Sequence, residues 1–209
     1  PRLISMELAT AYIHLDDHGR ARRLLESFIE KHPEEIRAYQ LLCEIYWENG
    51  QYRAADDLLA ACPDAMKNEK AILLLTGETR YQEKDMDAAE AAFLRYIDIH
   101  GEDEIVTRAL AKTRESRGDL DSAKELYAQI INQCSACGAL VDPFLKRRYA
   151  ELSFESGDLS AKLLDIYLGL VQEDPDNRAL YFHRIARIYE NQGESKEAHR
   201  YDAFARQSA

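Results

Sequence analysis

A period of 34 residues constrains this chain more than any other feature of its sequence. Small residues recur at that spacing in one column, alanine fills a second column, and larger side chains fill two more. The columns are Ala9, Cys43, Gly77 and Ala111; Ala21, Ala55, Ala89 and Ala123; Leu25, Leu59, Phe93 and Tyr127; and Phe28, Cys62, Tyr96 and Ile130. A fixed period of about 20–50 residues is typical of repeat proteins, in which neighbouring units bury one another.

Each repeat predicts two amphipathic helices joined by a tight turn. In the second repeat the first helical stripe comprises Tyr39, Leu42, Cys43 and Tyr46. The second stripe comprises Ala55, Leu58, Leu59 and Cys62. Gly50 ends the first helix because glycine adopts the left-handed conformation at little cost, and Pro63 prevents the second from continuing. Because short isolated helices are marginal in water, such pairs must stack to be stable.

These residues resemble the tetratricopeptide repeat family, whose motif combines Leu-small-x-x-Tyr with Gly, Ala, an aromatic residue and Pro at set distances. The chain departs from the motif at two kinds of position. Asp16 and Lys84 stand where Gly is usual, and Arg80 and Arg114 stand where Tyr is usual. The register also shifts near 134–143, since Ala150 follows Ala111 by 39 residues.

The resemblance implies an all-α fold: a right-handed superhelical solenoid of about six helix-turn-helix units. We expect one domain over 1–209, with units near 2–35, 36–69, 70–103, 104–137, 143–176 and 177–209 and an insert near 134–143. Six units account for essentially the whole chain, so a separate catalytic domain is not expected.

The resemblance further implies that the first helix of each unit lines a concave peptide-binding groove. The predicted groove residues are Met6, Ile13, Glu44, Trp47, Leu74, Glu78, Tyr81, Arg108, Lys112, Arg147, Phe154, His183 and Arg187. The N-terminal members are mostly apolar or aromatic, whereas the C-terminal members are mostly basic and suit carboxylates. Two alternatives stay open: Trp47 packs under the next unit, and the basic residues pair with Glu115, Glu151 and Glu190.

Some members of this family bind the C-terminal carboxylate of heat-shock chaperones through a clamp of Lys and Asn residues. Met6 and Thr10 occupy the positions of the first Lys and Asn here. The basic analogue in this chain comprises Arg108, Lys112, Arg148 and Arg184, without the asparagines. Chaperone-tail binding is therefore not expected, while carboxylate binding in general stays open.

Cys134 and Cys137 form the single motif typical of metal or redox chemistry. Two thiolates supply half of a tetrahedral zinc site, and no second pair is available because Cys43 and Cys62 fall in core columns. We therefore predict no cofactor and an irregular insert whose thiols are free or mutually oxidised. A shared metal or a redox role is the alternative.

Charge and motifs narrow the function classes. The formal charge of −11, from 27 basic and 38 acidic residues, disfavours a nucleic-acid partner. Apolar runs are too short to span a bilayer, and no phosphate-binding loop, nucleophile elbow or paired-histidine motif is present.

We therefore predict a non-enzymatic, cytoplasmic scaffold that binds a peptide or helix of another protein. A self-associating homo-oligomer is the alternative. No signal peptide is recognisable, and because the sequence opens with Pro1, an upstream anchor or signal stays open.

Overall fold

A computed structural model describes residues 2–136, 138 and 140–208, with side chains from residue 6 onward. This part of the chain contains twelve α-helices, one 3-10 turn at Pro175–Asn177 and no strand. The helices are α1 (Arg2–His14), α2 (His18–Lys31), α3 (Ile36–Glu48), α4 (Tyr52–Ala60), α5 (Lys70–Gln82), α6 (Met86–His100), α7 (Glu104–Arg117), α8 (Leu120–Ala136), α9 (Pro143–Glu155), α10 (Ala161–Glu173), α11 (Arg178–Asn191) and α12 (Ser195–Gln207). The predicted all-α class and the helix-turn-helix pattern are confirmed.

The turns inside the helix pairs share one backbone geometry. At the family's Gly position, Gly50 has a φ of 68°, and the two departures from Gly, Asp16 and Lys84, also have positive φ angles of 58° and 70°. One residue further on, the Gln51 N–H donates to the Tyr46 carbonyl at 2.7 Å. The same bond from a backbone N–H to a carbonyl five residues earlier joins Asp17 to Tyr12, Asp85 to Arg80, Asp158 to Ser153 and Glu194 to Tyr189. The left-handed turn is therefore kept where the sequence lacks glycine.

Side-chain caps fix the starts of several second helices. The carboxylate of Asp17 accepts from the Arg20 N–H, and that of Asp85 accepts from the Ala88 N–H, each at 3.1 Å. At the start of α10 the Ser160 hydroxyl oxygen accepts from the Leu163 N–H. Such caps satisfy N–H groups that have no partner within the helix.

All residues of the four sequence columns are buried, as their periodicity predicts. One detail differs from the prediction: α4 ends at Ala60, so Cys62 lies in the turn that follows the helix. Its backbone N–H donates to the Leu59 carbonyl, and its side chain is still buried. The sequence column that contains Cys62 therefore predicts burial correctly, although it does not mark the end of the helix.

The chain divides into two compact units, Pro1–Arg117 (unit 1) and Gly118–Ala209 (unit 2). The division falls between α7 and α8, so the fourth predicted repeat supplies one helix to each unit. Helix α8 continues to Ala136, within the predicted insert. The single domain over 1–209 and the exact repeat boundaries stay predictions. None of the described helices combines the length and low polarity that a bilayer span requires.

Candidate functional site

The predicted groove residues of α1 are mainly packing residues. Met6 and Ile13 are half-buried and lie against the apolar cluster that includes Ala9, Leu25 and Leu42. Their contacts join α1 to α2 and α3, which accounts for their apolar character without a ligand.

Trp47 links two neighbouring repeats. Its indole Nε1–H donates to the hydroxyl of Thr79 on α5 at 3.1 Å, and its ring packs against the core between α3 and α5. Thr79 in turn donates to the Leu75 carbonyl at 2.7 Å and is fully buried. The structure thus places Trp47 under the next repeat, which is the packing alternative.

A charged column runs across α3, α5 and α7 at the 34-residue spacing. Glu44, Glu78 and Lys112 are exposed at successive positions of this column, and Leu74 lies half-buried one turn before Glu78. Partial desolvation of the Glu78 carboxyl raises its pKa. The charge of Lys112 lowers the pKa of Glu78 and the charge of Glu44 raises it, so both groups interact electrostatically with Glu78. Sequence analysis had placed all three in the groove.

A cavity of about 390 Å³ opens beside this column, between α5 and α7 with a contribution from α6. Its lining, which defines the α5–α7 cavity, comprises Glu78, Tyr81, Gln82, Phe93, Glu104, Ile105, Arg108, Ala109 and Lys112. Four predicted groove residues are therefore brought together in one place. Their predicted role in ligand binding stays a prediction.

The α5–α7 cavity has an apolar wall. Ile105 is 63% exposed although it is a large aliphatic side chain, and it shares the cavity with the rings of Tyr81 and Phe93. Phe93 sits against Gly77, where an added Cβ would lie only 2.3 Å from the ring. The missing side chain of Gly77 thus allows the Phe93 ring to pack directly against α5.

Polar contacts hold the rim of the cavity. The Arg108 guanidinium pairs with Glu104 at 2.6 Å, one helical turn away. The Tyr81 hydroxyl and the Ser116 hydroxyl are 3.0 Å apart and share a hydrogen bond. The Lys84 ammonium lies 5.6 Å from the centre of the Tyr81 ring. These contacts position both a cation and an aromatic ring at the opening.

In unit 2, Arg147 belongs to a half-buried polar cluster. Its Nη1 lies 3.4 Å from Asp174 Oδ2, and Asp174 also accepts hydrogen bonds from the Tyr181 hydroxyl and the Asn177 amide. The Tyr181 hydrogen bond is the largest influence that lowers the pKa of Asp174. Burial, followed by the same hydrogen bond, raises the pKa of Tyr181. This cluster fastens α9 to the start of α11.

Phe154 is sandwiched between an aromatic ring and a cation. Its ring meets Tyr167 edge-on at a centroid distance of 6.3 Å, and the Arg184 guanidinium carbon lies 4.3 Å from its centroid. Tyr167 is fully buried and donates its hydroxyl hydrogen to the Ala150 carbonyl at 3.0 Å. The predicted groove residue Phe154 therefore packs between Tyr167 and Arg184.

The last two predicted groove residues, His183 and Arg187, are exposed on α11. His183 Nδ1 lies 3.5 Å from Asp202, and Arg187 Nη1 lies 3.4 Å from Glu190. The latter contact is the pairing alternative for Arg187. Exposed pairs of this kind contribute little, between about 0 and 1 kcal/mol.

Comparison with known proteins agrees with this geometry. Residues 12–78 match the family model of the tetratricopeptide repeat, and the buried columns and left-handed turns continue beyond that range. Residues 12–78 therefore carry the tetratricopeptide repeat, and the chain shares the fold of a solved tetratricopeptide repeat protein. No curated protein matches this chain.

Three solved structures illustrate the shared fold. Pseudomonas aeruginosa PilF is 16% identical, with 96% of this chain and 88% of PilF covered at a TM-score of 0.72. A tetratricopeptide repeat protein from Parabacteroides merdae is 17% identical, with 100% and 78% covered at a TM-score of 0.66. YrrB, described as having an unusual peptide-binding site, is 12% identical, with 88% and 91% covered at a TM-score of 0.68. At these identities the structural likeness establishes the fold alone. Tetratricopeptide repeat proteins generally act as non-enzymatic interaction modules.

Sequence reasoning missed several residues that line the α5–α7 cavity. Glu104 and Ala109 line the α5–α7 cavity beside Ile105 and Arg108, and Phe93 reaches it from a core column. Their spacing on α7 signals a shared helix face, but a cavity depends on packing that periodicity does not encode.

The cysteines divide between core and insert. Burial raises the pKa of the Cys43 thiol to about 12 and also raises that of Cys62, which makes both poor nucleophiles at neutral pH. Cys134 is half-buried near the end of α8, and Cys137 lies outside the described residues. Among the described residues, no group of three or more His, Cys, Asp or Glu side chains could hold a metal ion.

Proposed function

We propose that this chain is an interaction scaffold that holds a segment of a partner protein on α5 and α7 of unit 1. One apolar side chain of the partner enters the α5–α7 cavity, while the charged groups at its rim orient the segment. The observation that carries this proposal is the 63% exposure of Ile105 inside a cavity of about 390 Å³.

Apolar and charged groups in this cavity complement one another. Ile105 and the ring of Tyr81 offer apolar surface whose burial by a ligand is favourable at about 25 cal/mol per Å². Glu78 and Lys112 offer groups of both signs, and the partial desolvation of Glu78 strengthens hydrogen bonds that a partner makes to it. The peptide-binding site described for YrrB supports a peptide as ligand on this fold.

The cavity can be tested with purified protein and a library of short random peptides. Peptides selected on the native protein should bind Ile105→Asp about tenfold or more weakly, because a desolvated carboxylate replaces an apolar contact. Leu94→Asp on α6 is the matched control, since Leu94 is 45% exposed and lies outside the cavity lining. Trp47 fluorescence gives an intrinsic signal from unit 1.

Three results bear on the proposal. Weakened binding in Ile105→Asp with native-like affinity in Leu94→Asp supports it. Equal affinities in both variants, or a library that yields no binding peptide, contradict it. Circular dichroism of each variant checks that the helices are intact.

A further inference from the structure

A second cavity, of about 440 Å³, lies entirely within unit 2. It opens between the end of α8 and one face of α10, and the segment that precedes α9 also lines it. We call it the α8–α10 cavity. Its aliphatic lining includes Ile131, Val141 and Ile166, which are only half-buried. The cavity therefore presents apolar surface to water, and such surface on a folded domain is typical of an interaction site.

A fully exposed leucine stands beside this apolar surface. Leu140 lines the α8–α10 cavity and is nevertheless 100% exposed. The surface thus offers both an apolar side chain that gains from burial and an apolar cavity in which a side chain can be buried. A two-fold interface brings the same patch of two copies together, so it requires a surface that complements itself. Leu140 and the cavity meet that requirement.

Gly169 shapes the part of the cavity wall that α10 supplies. An added Cβ at this position would meet one atom outside the local backbone, the Glu173 Oε1 at 3.9 Å. Packing within the chain therefore does not require glycine here, although glycine is less favourable than alanine in the interior of a helix. The missing side chain deepens the cavity and allows a second protein surface to approach the backbone of α10.

The charges at the rim are also complementary to themselves. Lys162 and Asp165 both line the cavity, are exposed and stand three residues apart on α10. Within residues 2–136, 138 and 140–208, neither side chain has an ion pair or a hydrogen bond. By contrast, the Lys146 ammonium at the same cavity is held by both carboxylate oxygens of Glu173, at 2.7 and 2.8 Å. One charge of each sign is therefore available to a second molecule.

We propose that the α8–α10 cavity is a self-association surface to which a second copy of this chain binds across a two-fold axis. Leu140 of each copy enters the cavity of the other, and Lys162 of each copy pairs with Asp165 of the other. The formal charge of −11 repels two copies at a distance, but about 0.15 M salt screens this repulsion beyond about 8 Å. This surface and its test do not depend on the α5–α7 cavity.

Sedimentation velocity of the full protein over a range of concentrations, at a fixed salt concentration, measures the association. Leu140→Ser should weaken it about tenfold or more, because each copy loses an apolar side chain that the interface buries. The side chain is fully exposed in the single chain, so its replacement leaves the fold intact. Leu120→Ser is the matched control, since Leu120 is exposed on α8 and lies outside the cavity lining.

Gly169→Gln fills the cavity from within the chain. It should weaken self-association about tenfold while the urea midpoint of the protein stays the same or rises, because glutamine is the better helix former. A misfolded variant would instead lose stability together with association. This variant therefore separates occupation of the cavity from damage to unit 2.

Charge reversal tests whether the second molecule is another copy of the chain. Lys162→Asp and Asp165→Lys each place like charges opposite one another in a two-fold dimer, so each variant alone should associate about tenfold more weakly. An equimolar mixture of the two variants restores opposite charges at both contacts. The mixture should therefore associate more tightly than either variant does alone.

The possible results divide clearly. A dimer that Leu140→Ser and Gly169→Gln weaken, that Leu120→Ser leaves unchanged and that the mixture of charge variants recovers supports the proposal. A native protein that remains monomeric up to about 1 mM would overturn it. Equal association of Leu140→Ser and Leu120→Ser, or a mixture that associates no more tightly than its components, would do the same.

Discussion

The contact between Gly77 and Phe93 makes a substitution as mild as Gly77→Ala informative. A Cβ atom at position 77 would lie 2.3, 2.6 and 2.7 Å from three carbons of the Phe93 ring. The ring is only 1% exposed, so it has little space into which it can move. We expect the alanine variant to be less stable even though alanine is the better helix former.

The two opposing effects can be estimated separately. Alanine in a helix interior is favoured over glycine by about 1 kcal/mol. Overpacking a well-filled core costs about 1–3 kcal/mol, and contacts under 3 Å to a confined ring belong to the upper part of that range. We expect Gly77→Ala to lower the free energy of unfolding by about 1–2 kcal/mol. Gly169→Ala, where an added Cβ would lie 3.9 Å from the Glu173 Oε1 atom, should instead raise the free energy of unfolding by about 0.5–1 kcal/mol.

A double-mutant cycle identifies the cause of the loss. Phe93→Leu gives the pairing found in the first repeat, where Ala9 and Leu25 stand 16 residues apart as Gly77 and Phe93 do. In the double variant the alanine no longer meets the ring, so a coupling free energy of about 2 kcal/mol is expected. Urea unfolding, followed by fluorescence of Trp47 and by circular dichroism, measures it. Additive effects, or a stabilising Gly77→Ala, would refute the close contact.

Three further results are expected. Lys84→Gly should raise the free energy of unfolding by about 1 kcal/mol, as measured by urea unfolding. Relief of the left-handed conformation at position 84 is worth about 1–2 kcal/mol, which exceeds the lost contact with the Tyr81 ring. Thr79→Val should lower the free energy of unfolding by about 1–2 kcal/mol, since it leaves the indole N–H of Trp47 without its partner, and the urea midpoint records the loss. The pKa of Asp174 is lowered in the folded protein, so its contribution to stability is complete above its unfolded pKa of about 4. That contribution declines as pH falls through the lower folded pKa. Urea midpoints of Asp174→Asn should therefore depend less on pH in that acidic range than those of the native protein.

The fold of this chain could be predicted because its repeat columns lie where helices contact one another. Ala21, Ala55, Ala89 and Ala123 are all 0% exposed, and larger side chains one turn away are buried as well. A position that must be small in every repeat is visible in the sequence. The left-handed turns at Asp16 and Lys84 were harder to predict, since neither residue favours a positive φ. There the surrounding helix pair imposes a conformation that the residue itself disfavours.

The candidate sites could be predicted only in part, because helical periodicity says which face a residue occupies but not what it contacts. Glu78 and Lys112 line one cavity, yet the same reasoning could not distinguish Trp47, which is bonded beneath the next repeat. It placed Arg187 among the groove residues and Arg184 only in the basic clamp analogue, although Arg184 is stacked on a ring and Arg187 is paired with an acidic neighbour. Those differences arise from tertiary contacts.

Packing and recognition place different demands on the same repeat. Core columns are restricted to side chains that fit, as the clash at Gly77 illustrates. The column that contains Glu44, Glu78 and Lys112 is exposed, so packing does not dictate its residues, and its charge changes sign between Glu78 and Lys112. Substitutions at these three exposed positions are therefore expected to change the surface charge of α3, α5 and α7 with little effect on the core.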